Sequence, residues 1–383
     1  MLINPTPSGT DISTNPFVET TLSYVLTFIS RVTGHVDFAS IQPARLTILA
    51  DNDYYSQPPT SPDALTTATP SSASSSSSTP QPPHHSRFRP IMVPLRKAHK
   101  TGLGSSAALV TSLTAALLTH YIPTRFDIST ALDRHRLHNL AQAAHCAAQG
   151  KVGSGFDVAA AVRGGCLYRR FGPGVLAALG AGPGSPGFAE KLMAVVLDFN
   201  GVWDVEIDTK LANLPHGVAI RMCDVDCGSQ TVGMVKQVLA WREGNPEGAK
   251  ALWDDLQARN EELARVLREG RLGDIGAAVG AVRELVRKMG TESGVPIEPE
   301  SQTKLLDALG GVEGVYGGVV PGAGGFDAVA LLVKDDKGTE ARIKEFLAGW
   351  SKENGARVSL LRVKGEMEGV RREKLELYQG WLR

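Results

Sequence analysis

The chain has no excess of either charge: its 383 residues carry 40 Lys and Arg against 40 Asp and Glu. A neutral balance creates no field that would gather nucleic acid or hold the chain on an anionic membrane surface, so any anionic ligand has to be met by local groups. Cysteine is scarce as well. Four cysteines in a chain of this length are too few for a disulfide framework and point to a reducing, cytoplasmic setting. Cys223 and Cys227 have the spacing of half a metal site, but no second pair or nearby histidine completes it, so both read as plain thiols. No apolar run is long enough to cross a bilayer. The Gly-Lys-Ser/Thr triplet that closes a Walker loop is also missing. Glycine, by contrast, is abundant at 41 residues, as a chain with several tight loops requires.

The densest of those loops lies in residues 100–118, KTGLGSSAALVTSLTAALL. Gly102, Leu103, Gly104, Ser105, Ser106 and Ala107 place two glycines and two hydroxyls directly before an Ala/Leu-rich run of helical spacing. Glycines let a backbone approach an anion closely, and the free N–H groups and positive dipole end of a new helix complete the cup. The plain alternative is a glycine turn ahead of a buried helix. A dinucleotide fingerprint is also matched, by Gly102, Gly104 and Ala107. That fingerprint needs a strand ending in an acid after the helix. Residues 121–127 and a second helical pattern follow instead, which counts against it.

Along the chain, a helix pattern begins near Phe17, and a weak strand signal covers residues 45–50. Residues 57–86 are a Ser/Pro/Thr tract with too little apolar surface to fold, expected as a disordered insertion. A short strand is expected at 88–95, before the basic cluster Arg96, Lys97, His99 and Lys100. Helices are expected at 105–119 and 129–149, the second stopped by Gly150. A second tight turn, Gly153-Ser154-Gly155, then delivers Asp157 to the start of an apolar helix. An acid there is either a simple N-cap or a carboxylate aimed into a cleft to act on a hydroxyl proton. Strands are expected at 165–171 and 192–199.

A composition shift near residues 209–217 suggests a boundary between two domains, 1–208 and 209–383. The second half reads strand (218–223), helix (229–241), long paired helices to Met289, helix (302–309), strands (315–320 and 327–333), helix (339–350) and strand (357–363). Without the inserted helices this is βαββαβ, the split pattern of a ferredoxin-like sandwich. Between its middle strands lies a third glycine loop, residues 321–327 (PGAGGFD), richer in glycine than a hairpin turn needs.

Taken together and in this order, GLGSSAA, GSGFDVA and PGAGGFD resemble the GHMP kinases of small metabolites. The narrower resemblance is to the fungal phosphomevalonate kinases: KTGLGSSA from Lys100, HNLAQAAHCAAQGKVGSGFDVAAA from His138, the stretch from Tyr168 to Phe171, SGVPIEP from Ser293 and GGVVPGAGGFDA from Gly317. The resemblance implies an α+β fold of two domains. One would be an N-terminal α/β domain of ribosomal-protein-S5-like type, the other a C-terminal ferredoxin-like βαββαβ domain with inserted helices. It implies transfer of phosphoryl from ATP to 5-phosphomevalonate in isoprenoid and sterol synthesis, by a monomer or homodimer.

The same resemblance assigns roles. Gly102 to Ala107 would hold the ATP phosphates, with Ser105 or Ser106 joining Mg2+. Asp157 would be the catalytic carboxylate, with Lys100 beside the transferred charge. Lys151, Ser154, Arg169, Ser229 and the loop glycines Gly322, Gly324 and Gly325 would contact the acceptor, and Arg170 would add positive charge. Two departures accompany it. Where relatives often carry a magnesium-binding Glu ahead of the catalytic Asp, this chain has His145, Cys146 and Gln149. The family's opening strand and lysine-bearing loop have no counterpart before Asn15, so the chain is expected to start inside the first domain. A catalytically silent sensor on the same fold, a related decarboxylase and a dinucleotide oxidoreductase are the competing expectations.

Overall fold

The structure is a computed structural model; it describes residues 14–34, 44–55, 88, 101–210, 213–226 and 233–381. Those residues gather into two compact units, the described residues within 1–48, 104–213 and 366–383 forming one and those within 49–103 and 214–365 the other. The division expected after residue 208 is thus drawn differently by contact, since the last segment returns to the first unit. Backbone hydrogen bonds explain the return: the Gly165 N–H donates to the Glu366 carbonyl (2.7 Å) and the Val370 N–H to that of Ala161 (2.8 Å).

The first unit is built on helices. Helix α1 (Pro16–Thr33) starts where the Asn15 side chain accepts from the N–H groups of Phe17 and Val18 and ends at Gly34 in the left-handed region. It buries Tyr24, Val25, Phe28 and Ile29, a stripe at helical spacing. The stripe packs on α2 (Ser105–Tyr121), α3 (Ala131–Gln149) and α6 (Phe188–Leu197). α4 (Phe156–Arg163) packs on both α2 and α3, and short α5 (Gly174–Ala177) follows it in the chain. Leu137, Leu140, Val158, Val162, Phe171 and Leu192 fill the shared core. Among the described residues this unit's sheet is a two-stranded antiparallel ladder, β1 (Leu167–Arg169) with β2 (Glu206–Asp208), in the register Leu167↔Asp208.

Two strand expectations fail here. Residues 192–199 belong largely to α6: Phe188, Leu192, Val195 and Val196 recur at helical intervals and are all buried, so the core selects helix over the local preference of the paired valines. Described residues 45–50 have no regular structure. The strand expected at 88–95 and the Ser/Pro tract lie outside the described residues, apart from buried Phe88.

The second unit matches its expected pattern. β3 (Val218–Asp226), β4 (Val315–Val319), β5 (Ala328–Lys334) and β6 (Arg357–Leu360) form one antiparallel sheet in the order β4-β5-β3-β6. This is the strand order of a βαββαβ sandwich, with α7 (Met234–Gly244), α8 (Pro246–Arg268), α9 (Ile275–Ser293) and α10 (Glu300–Gly310) before β4 and α11 (Lys337–Asn354) before β6. Leu305, Leu306 and Leu309 of α10 and Ile343 and Leu347 of α11 pack with Val329, Leu331 and Val333 of β5. A separate cluster joins Val218 to Val266, Ile275 and Val279. Among the described residues no helix is long and apolar enough to cross a membrane.

Candidate functional site

Two helices of the first unit begin side by side on glycine. α2 is capped by Gly104 (φ 70°, ψ 34°) and α4 by Gly155 (φ 85°, ψ −2°), and neither cap has a side chain to satisfy the first turn's N–H groups. Both φ values lie in the region that glycine enters without strain. The starts are in contact: a Cβ placed on Gly104 would stand 3.7 Å from the Asp157 Cβ. Each helix also points the positive end of its dipole at this place. The residues fit a polyphosphate, since uncapped backbone donors and an open glycine surface are what such an anion needs. Gly102 has a positive φ of 73° as well, with nothing within 4 Å of a Cβ placed on it.

Asp157 is not the cap of α4; Gly155 is. Its carboxylate splits its duties: Oδ1 accepts from the Val158 N–H at 2.9 Å, and Oδ2 lies 3.8 Å from His145 Nε2. That imidazole nitrogen also stands 3.1 Å from Ser106 Oγ and 3.2 Å from Gln149 Nε2. His145 is 2% exposed, and burial lowers its pKa against the pull of Asp157, which favours an uncharged ring. Ser106 and Asp157 therefore meet at one buried nitrogen. Among the described residues no group of three or more His, Cys, Asp or Glu could hold a metal ion. A hard divalent cation bound through phosphate oxygens needs only one or two protein oxygens, and Ser106 and Asp157 are of that kind.

The turn before α4 is held from β1. The Tyr168 hydroxyl donates to the Ser154 carbonyl at 2.9 Å, and burial pushes its pKa up to about 12, so it keeps that proton. Arg170 donates from Nη2 to the Val152 carbonyl at 3.2 Å. Arg169 pairs instead with Glu206 at 3.2 Å on the surface, and Lys151 is exposed. Tyr168, His145 and Gln149 are the residues that sequence reasoning gave no part in the site's geometry. The signal for His145 and Gln149 was their place where relatives often carry a magnesium-binding Glu, and for Tyr168 the stretch it opens in the resemblance.

The third glycine loop lies in the second unit, between β4 and β5. Gly325 donates its N–H to the Ile297 carbonyl at 2.9 Å, and a Cβ on Gly324 would collide with Ile297. Gly322 faces open space. Ile297 is fixed by its neighbour Glu298, whose 1% exposed side chain accepts from Arg283 (2.7 Å), Arg287 (3.1 Å) and Thr303 (3.0 Å). Lys100 and Ser229 lie outside the described residues.

A family model described as the GHMP kinases N terminal domain matches residues 91–165, which span both glycine-capped helix starts. The phosphomevalonate kinase ERG8 of Gibberella zeae is 56% identical over 375 residues, covering 98% of this chain and 80% of that protein. The phosphomevalonate kinase erg8 of Aspergillus fumigatus is 46% identical over 387 residues, 96% of this chain and 75% of that protein. Among solved structures, the Lin0012 protein of Listeria innocua superposes with a TM-score of 0.52 at 21% identity, over 70% of each chain, a likeness of fold.

Proposed function

The chain belongs to the phosphomevalonate kinase family of the GHMP kinases, and on that premise we propose how its residues divide the work of the reaction. The reaction is ATP plus 5-phosphomevalonate to ADP plus 5-diphosphomevalonate, a step toward isoprenoids and sterols. The observation that carries the proposal is the contact between the Gly104 turn and Asp157. It sets a carboxylate beside the place where two glycine-started helices can hold a polyphosphate.

In this reading Gly102, Leu103, Gly104, Ser105, Ser106 and Ala107 hold the nucleotide phosphates. Ser106, with Ser105 beside it, supplies hydroxyl oxygen to Mg2+, which when bound neutralises charge on the transferred group. Asp157 orients the attacking phosphate oxygen of the acceptor. That phosphate's second ionisation lies near pH ~6, so it is mostly anionic at neutral pH and proton removal is the smaller demand. Bringing two anions together is the larger one, and it calls for positive charge and positioning. Lys100, Lys151, Arg169 and Arg170 supply that charge, while Ser154, Ser229, Gly322, Gly324 and Gly325 position the acceptor. The reading includes a cytoplasmic setting, supported by the free thiols of Cys146, Cys166 and Cys223.

A silent family member is not favoured, because Asp157 and the glycine starts are both retained. The test is ADP release by the full chain with ATP, Mg2+ and either mevalonate, 5-phosphomevalonate or 5-diphosphomevalonate, with products identified by phosphorus NMR. Release with 5-phosphomevalonate alone, giving a diphosphate, is the expected result. Release with mevalonate alone, or carbon dioxide from the diphosphate, would overturn it.

A further inference from the structure

One buried group at the site is left without a part in that division. His145 belongs to α3, contacts both Ser106 and Asp157, and packs its ring against Phe17 with centroids 5.6 Å apart. At 2% exposure it cannot reach a substrate in solvent. Its Nε2 faces three groups, and their chemistry differs. Gln149 places its amide nitrogen 3.2 Å from it; with that amide assigned as the donor, the ring nitrogen on that side is the acceptor and the ring proton is assigned to Nδ1. Ser106 then meets an acceptor as well. Its hydroxyl hydrogen goes to the ring, and the oxygen's lone pairs turn away from it. Asp157 Oδ2, at 3.8 Å, is too far for a hydrogen bond and faces no N–H on that nitrogen.

We propose that His145 is a positioning residue for the nucleotide-bound cation: it takes the Ser106 hydrogen so that the hydroxyl oxygen faces the metal, and leaves Asp157 Oδ2, the carboxylate oxygen not held by the Val158 N–H, free of a ring hydrogen bond to face it too. His145 is not itself a ligand in this arrangement, because its one accepting nitrogen is already shared by Ser106 and Gln149. An imidazole ligand would favour softer cations than Mg2+. An imidazole behind a hydroxyl keeps an all-oxygen shell suited to a hard cation. Removing such a supporting partner typically weakens metal binding by about 10 to 100-fold.

The inference rests on the nucleotide reading above, and its test is metal binding rather than turnover. Free Mn2+ is titrated by electron paramagnetic resonance with ADP and the full chain, for the parent, His145→Phe, His145→Gln, Ser106→Ala and the Ser106→Ala/His145→Phe pair. His145→Phe should weaken Mn2+ by roughly 10-fold or more, whereas His145→Gln, which keeps an acceptor, should recover most of the loss. ADP affinity without metal should be the same in His145→Phe and His145→Gln as in the parent. If His145 acts through Ser106, the double variant should be no weaker than Ser106→Ala alone. Should the larger ring disturb the core, His145→Asn, too short to reach Ser106, replaces it with the same expectation. Parental Mn2+ affinity in His145→Phe or in its Asn substitute, or losses that multiply in the double variant, would overturn the inference alone. A parent chain that binds Mn2+ no better than ADP does by itself would overturn the nucleotide reading and this inference with it.

Discussion

The Tyr168 phenol closes over Gly155 so tightly that a Cβ at 155 would stand 2.6 Å from the phenolic oxygen. The same Cβ would lie 2.8 Å from Gln142 Oε1 and 3.0 Å from the Phe171 ring, and the backbone there has φ 85°. Gly155→Ala therefore combines a left-handed strain of about 1 to 2 kcal/mol with overpacking of about 1 to 3 kcal/mol. Urea unfolding should show a loss of roughly 2 to 5 kcal/mol. Gly102→Ala is the control: its φ is 73° but nothing lies within 4 Å, so only the strain, about 1 to 2 kcal/mol, should appear. Adding Tyr168→Phe to Gly155→Ala removes the nearest atom and should recover part of the loss. Equal losses for the two glycines would show that the packing contact carries nothing.

Asp157→Asn keeps the shape of the side chain and its contact with the Val158 N–H but removes the charge beside Ser106 and His145. Turnover should fall by about 10² to 10⁴-fold, the range for a positioned acid or base, while affinity for metal-free ADP stays within a few-fold. Unchanged kcat would remove Asp157 from the reaction; lost ADP binding would make its role structural.

How far the sequence alone reached depended on the range of the interaction that decided each feature. Residues 105–119 and 129–149 were readable as helices because apolar spacing and glycine stops are local signals, and α2 and α3 cover them within a few residues. The βαββαβ order was readable for the same reason, strand by strand. Residues 192–199 were misread because two adjacent valines favour a strand locally, whereas the burial that makes α6 a helix comes from residues far away in the chain. The site divided in the same way. The glycine turns carry their own conformational signature, but His145 matters because α3 brings it to Ser106, 39 positions away. The resemblance marked HCAAQ as the place of a missing magnesium-binding Glu, but not its contact with Ser106.

Acid should weaken the fold through His138. The ring is fully buried beside Trp203, its Nε2 has no partner among the described residues, and burial lowers its pKa to about 4. In the unfolded chain it titrates near ~6.5, so between that pH and about 4 the unfolded state binds the extra proton and stability rises with pH. The contribution is complete above pH ~6.5 and lost as the pH falls toward 4, amounting to about 3 kcal/mol in all. His145, also lowered by burial, acts in the same direction. Chemical unfolding at a series of pH values should show this slope, and His138→Leu should remove about one proton's worth of it. A slope unchanged by His138→Leu would assign the acid sensitivity elsewhere.

Glu298 joins a buried ion network to the third glycine loop, so its removal should be felt in both stability and substrate binding. Its carboxylate accepts from Arg283, Arg287 and Thr303, and Arg283 also holds Asp307 at 2.7 Å. Glu298→Gln leaves the Arg283 charge buried with only the rim acid Asp307 to balance it. Breaking a buried pair by removing one partner costs about 3 to 5 kcal/mol, so the second unit's unfolding midpoint should drop strongly. Added salt should change that loss little, because the pair is shielded from solvent ions. The adjacent Ile297 carbonyl receives the Gly325 N–H, so the loop of Gly322, Gly324 and Gly325 should loosen as well. If that loop positions the acceptor, KM for 5-phosphomevalonate should rise about 10-fold or more, a loss of at least ~1.4 kcal/mol, with KM for ATP nearly unchanged. The exposed Arg371, paired with Glu373 and Glu366 on the surface, provides the contrast: Arg371→Ala should cost under ~1 kcal/mol and leave both constants alone. A Glu298→Gln variant with parental KM for both substrates would separate the network from the acceptor loop and leave it a purely structural feature.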